Sequence, residues 1–326
     1  MQQQKSVALV GCGKWGRNIA RNLAQLGALR IICDADENNV ASVATEFGAE
    51  FTKDFRNVLS APEINAVVIA TPATTHAALG TDAIKAGKHV YLEKPIAVST
   101  SDAKALAALA TERGRVLMVG HLLQYHPGFL QLLELVRAGT LGKISYVCSN
   151  RLNPGVVRVE ENVLWSLAPH DFSMVLALLG EEPCAVTAHG AAILRPQIVD
   201  LATVHMTFPS GARAQIYCSW LNPFKEHKLT VIGEKAMAVF DDTPRDWKHK
   251  SLTLFGHKVV TKNAVPQLVK GEETIVKFEE REPLRDELVH FLECVATGAV
   301  PRTGAREAIP VLEALERAQQ CLESCQ

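Results

Sequence analysis

Surplus charge of either sign is missing from this chain: 34 lysines and arginines face 35 acids over 326 residues, a net of −1. No sequence-wide field therefore attracts phosphate backbones or anionic lipid, and neither nucleic acid nor membrane is expected as a partner. Long apolar runs are missing too; none reaches the ~20 residues that a spanning helix needs. The opening MQQQKSVALV passes from glutamines straight into a strand-like run, without the apolar stretch and cleavage site of a signal peptide. The expected location is cytoplasmic. Eight cysteines, at 12, 33, 148, 184, 218, 294, 321 and 325, form no CxxC pair, and no histidine cluster has zinc-finger spacing. They read as reduced thiols, and no metal is expected. Internal repeats and low-complexity tracts are absent as well.

What is present is apolar residue in quantity, 48% of a chain longer than a single domain usually runs, so two domains are expected. Up to residue 120, the runs SVALVG, LRIICD, AVVIAT, HVYLEK and VLMVG alternate with helical stretches. That is the pattern of repeated βαβ units, and strands apolar throughout are covered on both faces. Residues 1–120 thus predict a parallel, doubly wound α/β sheet. From 121 to 326, six further strand candidates follow one another between Gly, Pro and Asn turns, predicting an α+β domain with a large, mostly antiparallel open sheet. Leu284, Leu288, Phe291, Leu292 and Val295 share a helical face, and the C-terminal helices are expected to pack back toward the first domain. Pro310 should sit in the first turn of the last helix or kink it.

Gly11, Gly13 and Gly16 stand between the first strand and the first helix, the context in which GxGxxG marks a dinucleotide site. Gly11 suits the tight turn, Gly13 the approach of pyrophosphate, and Gly16 close helix packing, with the amides around Lys14 and Trp15 facing the phosphates. Asp34 closes the second strand, where a carboxylate accepts from the adenosine ribose diol and repels a 2′-phosphate; no arginine follows, so NAD is favoured over NADP. As a solvated turn residue, Asp34 would carry no such meaning. Thr71 and Pro72 end another strand at the ligand edge, though Thr-Pro is also an ordinary stop. Glu93, Lys94 and Pro95 end the next; at that edge Lys94 can reach the nicotinamide and a substrate hydroxyl, and elsewhere the tripeptide would be a turn.

GCGKWG, ATP-x-x-x-H at 70–76, EKP at 93–95 and a His-Asp pair opening a later helix together resemble the Gfo/Idh/MocA oxidoreductase family. The resemblance spans the chain. It implies an N-terminal Rossmann domain, a C-terminal sheet for substrate and oligomer contacts, hydride transfer to NAD, and a homo-oligomer, dimer or tetramer. It also implies that Lys94 serves catalysis, that Glu93 contacts the nicotinamide ribose, and that His76 belongs to the cofactor set. His170, in the first turn of APHDFSMVLALLG, becomes the second catalytic residue; a helix start disfavours imidazolium and keeps such a ring able to accept a proton. Many relatives carry an acid four residues earlier, where this chain has Ser166. The choice of proton acceptor between Lys94 and His170 stays open.

GHLLQYHP, SNRLNPGVVRVEENVLWSLAPHD and SWLNPFKEHKLTVIGEKAMAVFDD look most like the branch that oxidises C3 of UDP-N-acetylglucosamine or its uronate. The expectation is a UDP-sugar substrate, a 3-keto product and a sugar aminotransferase acting next. Arg151, Asn153, Arg158 and Asn162 are candidates for holding diphosphate or sugar, with a solvated loop as the other reading, and His126 is a further candidate. His89 reads as structural. Another sugar or inositol dehydrogenase, and a non-catalytic NAD sensor, are the alternatives.

Overall fold

The structure, a computed structural model, describes residues 6–155 and 157–324. It divides into two compact units, the first Met1–Leu122 with Glu282–Leu312, the second Leu123–Arg281 with Glu313–Gln326.

The first unit runs β1 (Val7–Val10), α1 (Lys14–Gln25), β2 (Leu29–Cys33), α2 (Glu37–Phe47), β3 (Glu50–Thr52), α3 (Phe55–Ser60), β4 (Ala66–Ile69), α4 (His76–Lys85), β5 (His89–Glu93), α5 (Thr100–Glu112) and β6 (Leu117–Gly120). Its six strands are parallel in the order β3-β2-β1-β4-β5-β6. Strand order reverses between β1 and β4, and ligands of such sheets sit at the carboxyl ends beside that reversal. β1, β4 and β6 are buried along their whole length, as helices on both faces require. Local chemistry sets the helix limits: Asp36 and Ser99 accept amide protons at the starts of α2 and α5, and Gly48 ends α2 at φ +63°. Of the six strands, the sequence reading found five. β3 is a three-residue edge strand whose Glu50 and Phe51 are exposed, so no apolar run announces it.

In the second unit, α6 (Pro127–Arg137), β7 (Ile144–Pro154), α7 (Val163–Leu167) and α8 (Pro169–Leu179) precede β8 (Ala185–Ala191), β9 (Leu201–Thr207), β10 (Arg213–Ser219), β11 (Leu221–Gly233) and β12 (Met237–Asp241). β13 (Ser251–Phe255), β14 (Lys258–Lys262), β15 (Val265–Val269) and β16 (Glu273–Ile275) follow. Eight strands form one sheet in the order β16-β13-β12-β11-β7-β10-β9-β8, antiparallel except for β7 and β10, while β14 and β15 pair separately. Alternation places Ala202, Val204, Met206, Ala214, Ile216 and Cys218 inside, on the face that α7 and α8 cover. Beyond the six strands expected from sequence, β13 to β16 and helices α6 and α7 are additions.

After residue 281, α9 (Pro283–Thr297) buries Leu284, Leu288, Phe291 and Leu292 of the expected stripe, leaves Val295 half-buried, and buries Glu287 as well. α10 (Ala305–Ser324) carries Pro310 past its first turn, where the ring nitrogen has no hydrogen for the Arg306 carbonyl. No helix among the described residues is long and apolar enough to cross a membrane.

Candidate active site

The β1–α1 turn is built by glycine for two different reasons. At Gly11, φ is +90° and a Cβ would lie 2.7 Å from the Ala70 carbonyl oxygen; at Gly16 it would lie 2.2 Å from the Gly11 carbonyl oxygen. Both are demanded by the chain's own packing. A Cβ on exposed Gly13 would meet nothing within 4 Å. Packing leaves that position free, so a glycine there serves no internal contact and leaves the backbone open to the close approach that a pyrophosphate needs. α1 starts at Lys14 with no side-chain cap, so its first amides, Lys14 and Trp15 included, have no helical acceptor and suit phosphate oxygens. Gly13→Ala should therefore keep its melting temperature while NAD affinity drops roughly tenfold, about 1.4 kcal/mol. Gly16→Ala should lose roughly 1–3 kcal/mol of stability through overpacking. Paired thermal melts and NAD titrations separate the two.

Asp34 sits just past β2. Its Oδ2 accepts the Cys12 amide at 2.7 Å and its Oδ1 the Asp36 amide at 3.0 Å. Burial alone would raise its pKa, but those amides hold the carboxyl below its ordinary value. A carboxylate fixed in this way keeps lone pairs for a ribose diol and repels a 2′-phosphate.

At the end of β4, Thr71 Oγ1 lies 2.7 Å from Thr75 Oγ1, and Pro72 is exposed. His76, placed in the cofactor set by the family motif, does different work. It is 1% exposed, with Nδ1 2.7 Å from the Pro95 carbonyl oxygen and Nε2 2.9 Å from that of Thr71. Both ring nitrogens face main-chain carbonyls, so the ring joins the loops after β4 and β5 and has no nitrogen left for a ligand. Glu93 Oε1 accepts Trp15 Nε1 at 2.7 Å, and Oε2 lies 3.3 Å from the Lys94 amide. Burial, followed by the Lys94 charge, lowers His121 to about 4, and burial with Lys94 also lowers His76. Gly11, Gly13, Gly16, Asp34, Thr71, Glu93 and Lys94 thus share the carboxyl edge of one sheet. The Trp15 side chain's reach to Glu93 had no sequence signal beyond its place inside the glycine motif.

In the second unit, His170 is the second residue of α8, after Pro169, and Gly180 at φ +67° ends that helix as expected. Its neighbour Asp171 is fully buried and accepts Ser149 Oγ at 2.6 Å, Arg151 Nε at 2.6 Å and Arg151 Nη2 at 3.2 Å. Arg151, expected to grip substrate, is instead committed to an internal ion pair, with Nη1 3.4 Å from His227 Nδ1. Burial, then the Arg151 charge, lowers His227 to about 3. Asn162 caps α7 by accepting the Trp165 amide and donates to Gln319 at 2.8 Å. His126 is 1% exposed, caps α6 by accepting the Gly128 amide, and stacks on Trp247 at 4.9 Å. Asn162 and His126 thus also have internal partners. Arg158 is exposed and paired with Glu161 at 3.2 Å, and Asn153 is half-buried at the end of β7. Lys225, missed from sequence, occupies the register break of β11 between Leu221 and Glu226. Burial lowers its ammonium, as do Lys250, Arg151 and Arg245, against the pull of Asp242. Among the described residues Lys225 has no ion pair.

Comparison with known proteins agrees with this layout. Residues 5–121 match the sequence model for an oxidoreductase family with an NAD-binding Rossmann fold, and 129–239 match the GFO/IDH/MocA C-terminal domain. The NAD(+)-dependent scyllo-inositol 2-dehydrogenase of Bacillus subtilis is 28% identical over 316 residues, 92% of this chain and 89% of its own. UDP-N-acetylglucosamine 3-dehydrogenase of Acidithiobacillus ferrooxidans is 29% identical over 289 residues, 88% of each chain. Its solved structure has a TM-score of 0.86 at 27% identity, covering 98% of this chain and 97% of that one. GenD2 from gentamicin A biosynthesis, solved in complex with NAD, gives 0.83 at 27% identity over 100% of this chain and 96% of its own.

Proposed function

We propose a reaction on one premise: the chain belongs to the Gfo/Idh/MocA oxidoreductase family. It is an NAD-dependent dehydrogenase that oxidises a CH–OH group of a sugar or polyol. Within that class, our reading is oxidation of the C3 hydroxyl of UDP-N-acetylglucosamine to a 3-keto sugar nucleotide. Lys225 carries this choice: a half-buried ammonium without an ion pair among the described residues, acted on by Asp242 and by the three cations Lys250, Arg151 and Arg245, suits the diphosphate of a nucleotide sugar. Inositol has no such group to recognise.

Bound NAD would accept the hydride that leaves C3. We assign Lys94 to hold and orient the C3 hydroxyl, and His170, in the first turn of α8, to take its proton. Glu93 and Asp34 would hold the two riboses. The keto product is labile, so an enzyme that captures the carbonyl, such as a sugar aminotransferase, is the expected next partner. A cytoplasmic homo-oligomer is the form in which we expect it to work.

Incubation with NAD and, separately, UDP-N-acetylglucosamine, its uronate and myo-inositol should raise the NADH absorbance band with a UDP-sugar alone. UDP by itself should stabilise the protein against heat, and Lys225→Met should abolish that stabilisation. Turnover of myo-inositol without turnover of either UDP-sugar would overturn the reading. NAD binding with no turnover of any sugar would favour the sensor.

A further inference from the structure

Glu287 has no part in the reaction assigned above, yet α9 brings it, 1% exposed, against the strand that ends in Glu93. Tyr91 Oη lies 3.0 Å from Glu287 Oε2 and 3.4 Å from Glu93 Oε1. Trp15 Nε1 donates to the same Glu93 oxygen. Phe291, one helical turn on from Glu287, meets the Tyr91 ring edge-on with centroids 5.7 Å apart, so one face of α9 fixes both the ring and its hydroxyl. A Cβ on Gly120 would come within 2.6 Å of Tyr91 Oη; the end of β6 leaves room for this contact.

Proton counting decides how the three groups share their bonds. Tyr91 has one hydroxyl proton and stands near two carboxyls. Were Glu287 ionised, it would draw that proton to itself, and its Oε1, without a hydrogen-bond partner among the described residues, would bear buried charge beside a second carboxylate. With a proton on Glu287, the Glu287 acid, the Tyr91 hydroxyl and the Trp15 indole each have an acceptor. We propose that Glu287 is a positioning residue of the dinucleotide site: as a neutral acid it donates to Tyr91 Oη, which turns the tyrosine proton onto Glu93 and leaves Glu93 the only charge of the three.

Burial first, and then the charge of Glu93, push Glu287 well above the ordinary carboxyl range. Burial raises Glu93 as well, though less than Glu287, because Trp15, the Lys94 charge and amide, and Tyr91 pull it the other way. The groups facing this pair are therefore Trp15 from α1 and Tyr91 and Lys94 from the β5 end. The inference rests on the NAD edge of the first unit and not on which sugar is oxidised.

Infrared difference spectroscopy of the whole protein at neutral pH should show the C=O stretch of a protonated carboxyl, and Glu287→Gln should remove it. NAD affinity followed against pH without any sugar gives the second readout. Tyr91→Phe takes a donor from Glu93, so its acid-side loss of NAD affinity should move to higher pH. Glu287→Gln, whose amide donates to Tyr91 Oη as the acid does, should keep the wild-type midpoint. A missing band, a band that survives Glu287→Gln, an unmoved Tyr91→Phe midpoint or a shifted Glu287→Gln midpoint each overturns the proposal. Should Glu287→Gln not fold, a Glu93→Gln, Glu307→Gln double variant, lacking the other carboxyls that burial raises, keeps the band if Glu287 is its source and loses it otherwise. Because neither readout involves sugar, failure here is distinguishable from failure of the UDP-sugar reading.

Discussion

Lys94→Met should cut turnover by roughly 10²–10³-fold, the usual loss when a preorganised hydrogen-bond donor to the reacting group is removed, while NAD binds nearly as before. Methionine keeps the length of the stem and removes the ammonium. The groups we assign to the phosphates and adenosine ribose of the dinucleotide, the α1 amides and Asp34, lie at the ends of β1 and β2 and are untouched by that change. Loss should appear in kcat, because an orienting bond to the reacting hydroxyl matters most in the transition state. His76 and His121 would each lose a neighbouring cation that lowers them, but burial is the larger lowering cause for both. Single-turnover kinetics alongside NAD titration check the split. Turnover within tenfold of wild type would remove Lys94 from the chemistry.

Asp171→Ala should destabilise the protein by about 3–5 kcal/mol, the cost of stranding a buried charge. Arg151 has 7% of its side chain exposed and Asp171 none, so the guanidinium left behind cannot turn to water. Ser149 loses its acceptor in the same step. A melting temperature lower by about 2–4 °C per kcal/mol is the readout. Replacing the pair together, as Arg151→Met with Asp171→Leu, should recover most of the loss, since an apolar pair of similar volume carries no desolvation cost. A single variant as stable as wild type would show that the pair does not hold the start of α8, and with it His170, in place.

How far the sequence could be read depended on whether its signals were local. Continuous apolar strands and the glycine spacing lie within short windows, so the first domain and Gly11, Gly13, Gly16 and Asp34 were visible in one dimension. β3, β15 and β16 were not, because short, exposed strands need no apolar run. Arg151 looked available for phosphate because its partner is 20 residues away and meets it only through folding. Glu287 was hidden for a related reason: a carboxyl inside an apolar helical stripe looks like a surface break until Tyr91, 196 residues earlier, closes over it.

The one parallel pairing in the eight-stranded sheet bears on how the protein is made. β7 has β10 on one side and β11 on the other, and both follow α7, α8, β8 and β9 in the chain. A ribosome that has released β7 therefore holds a strand with both edges open until residues beyond 212 emerge, and no hairpin with its neighbour in sequence can close them. Nascent chains cut short before that point should be the ones that chaperones retain and that aggregate in isolation, which puts the safe place to split the gene well away from this stretch.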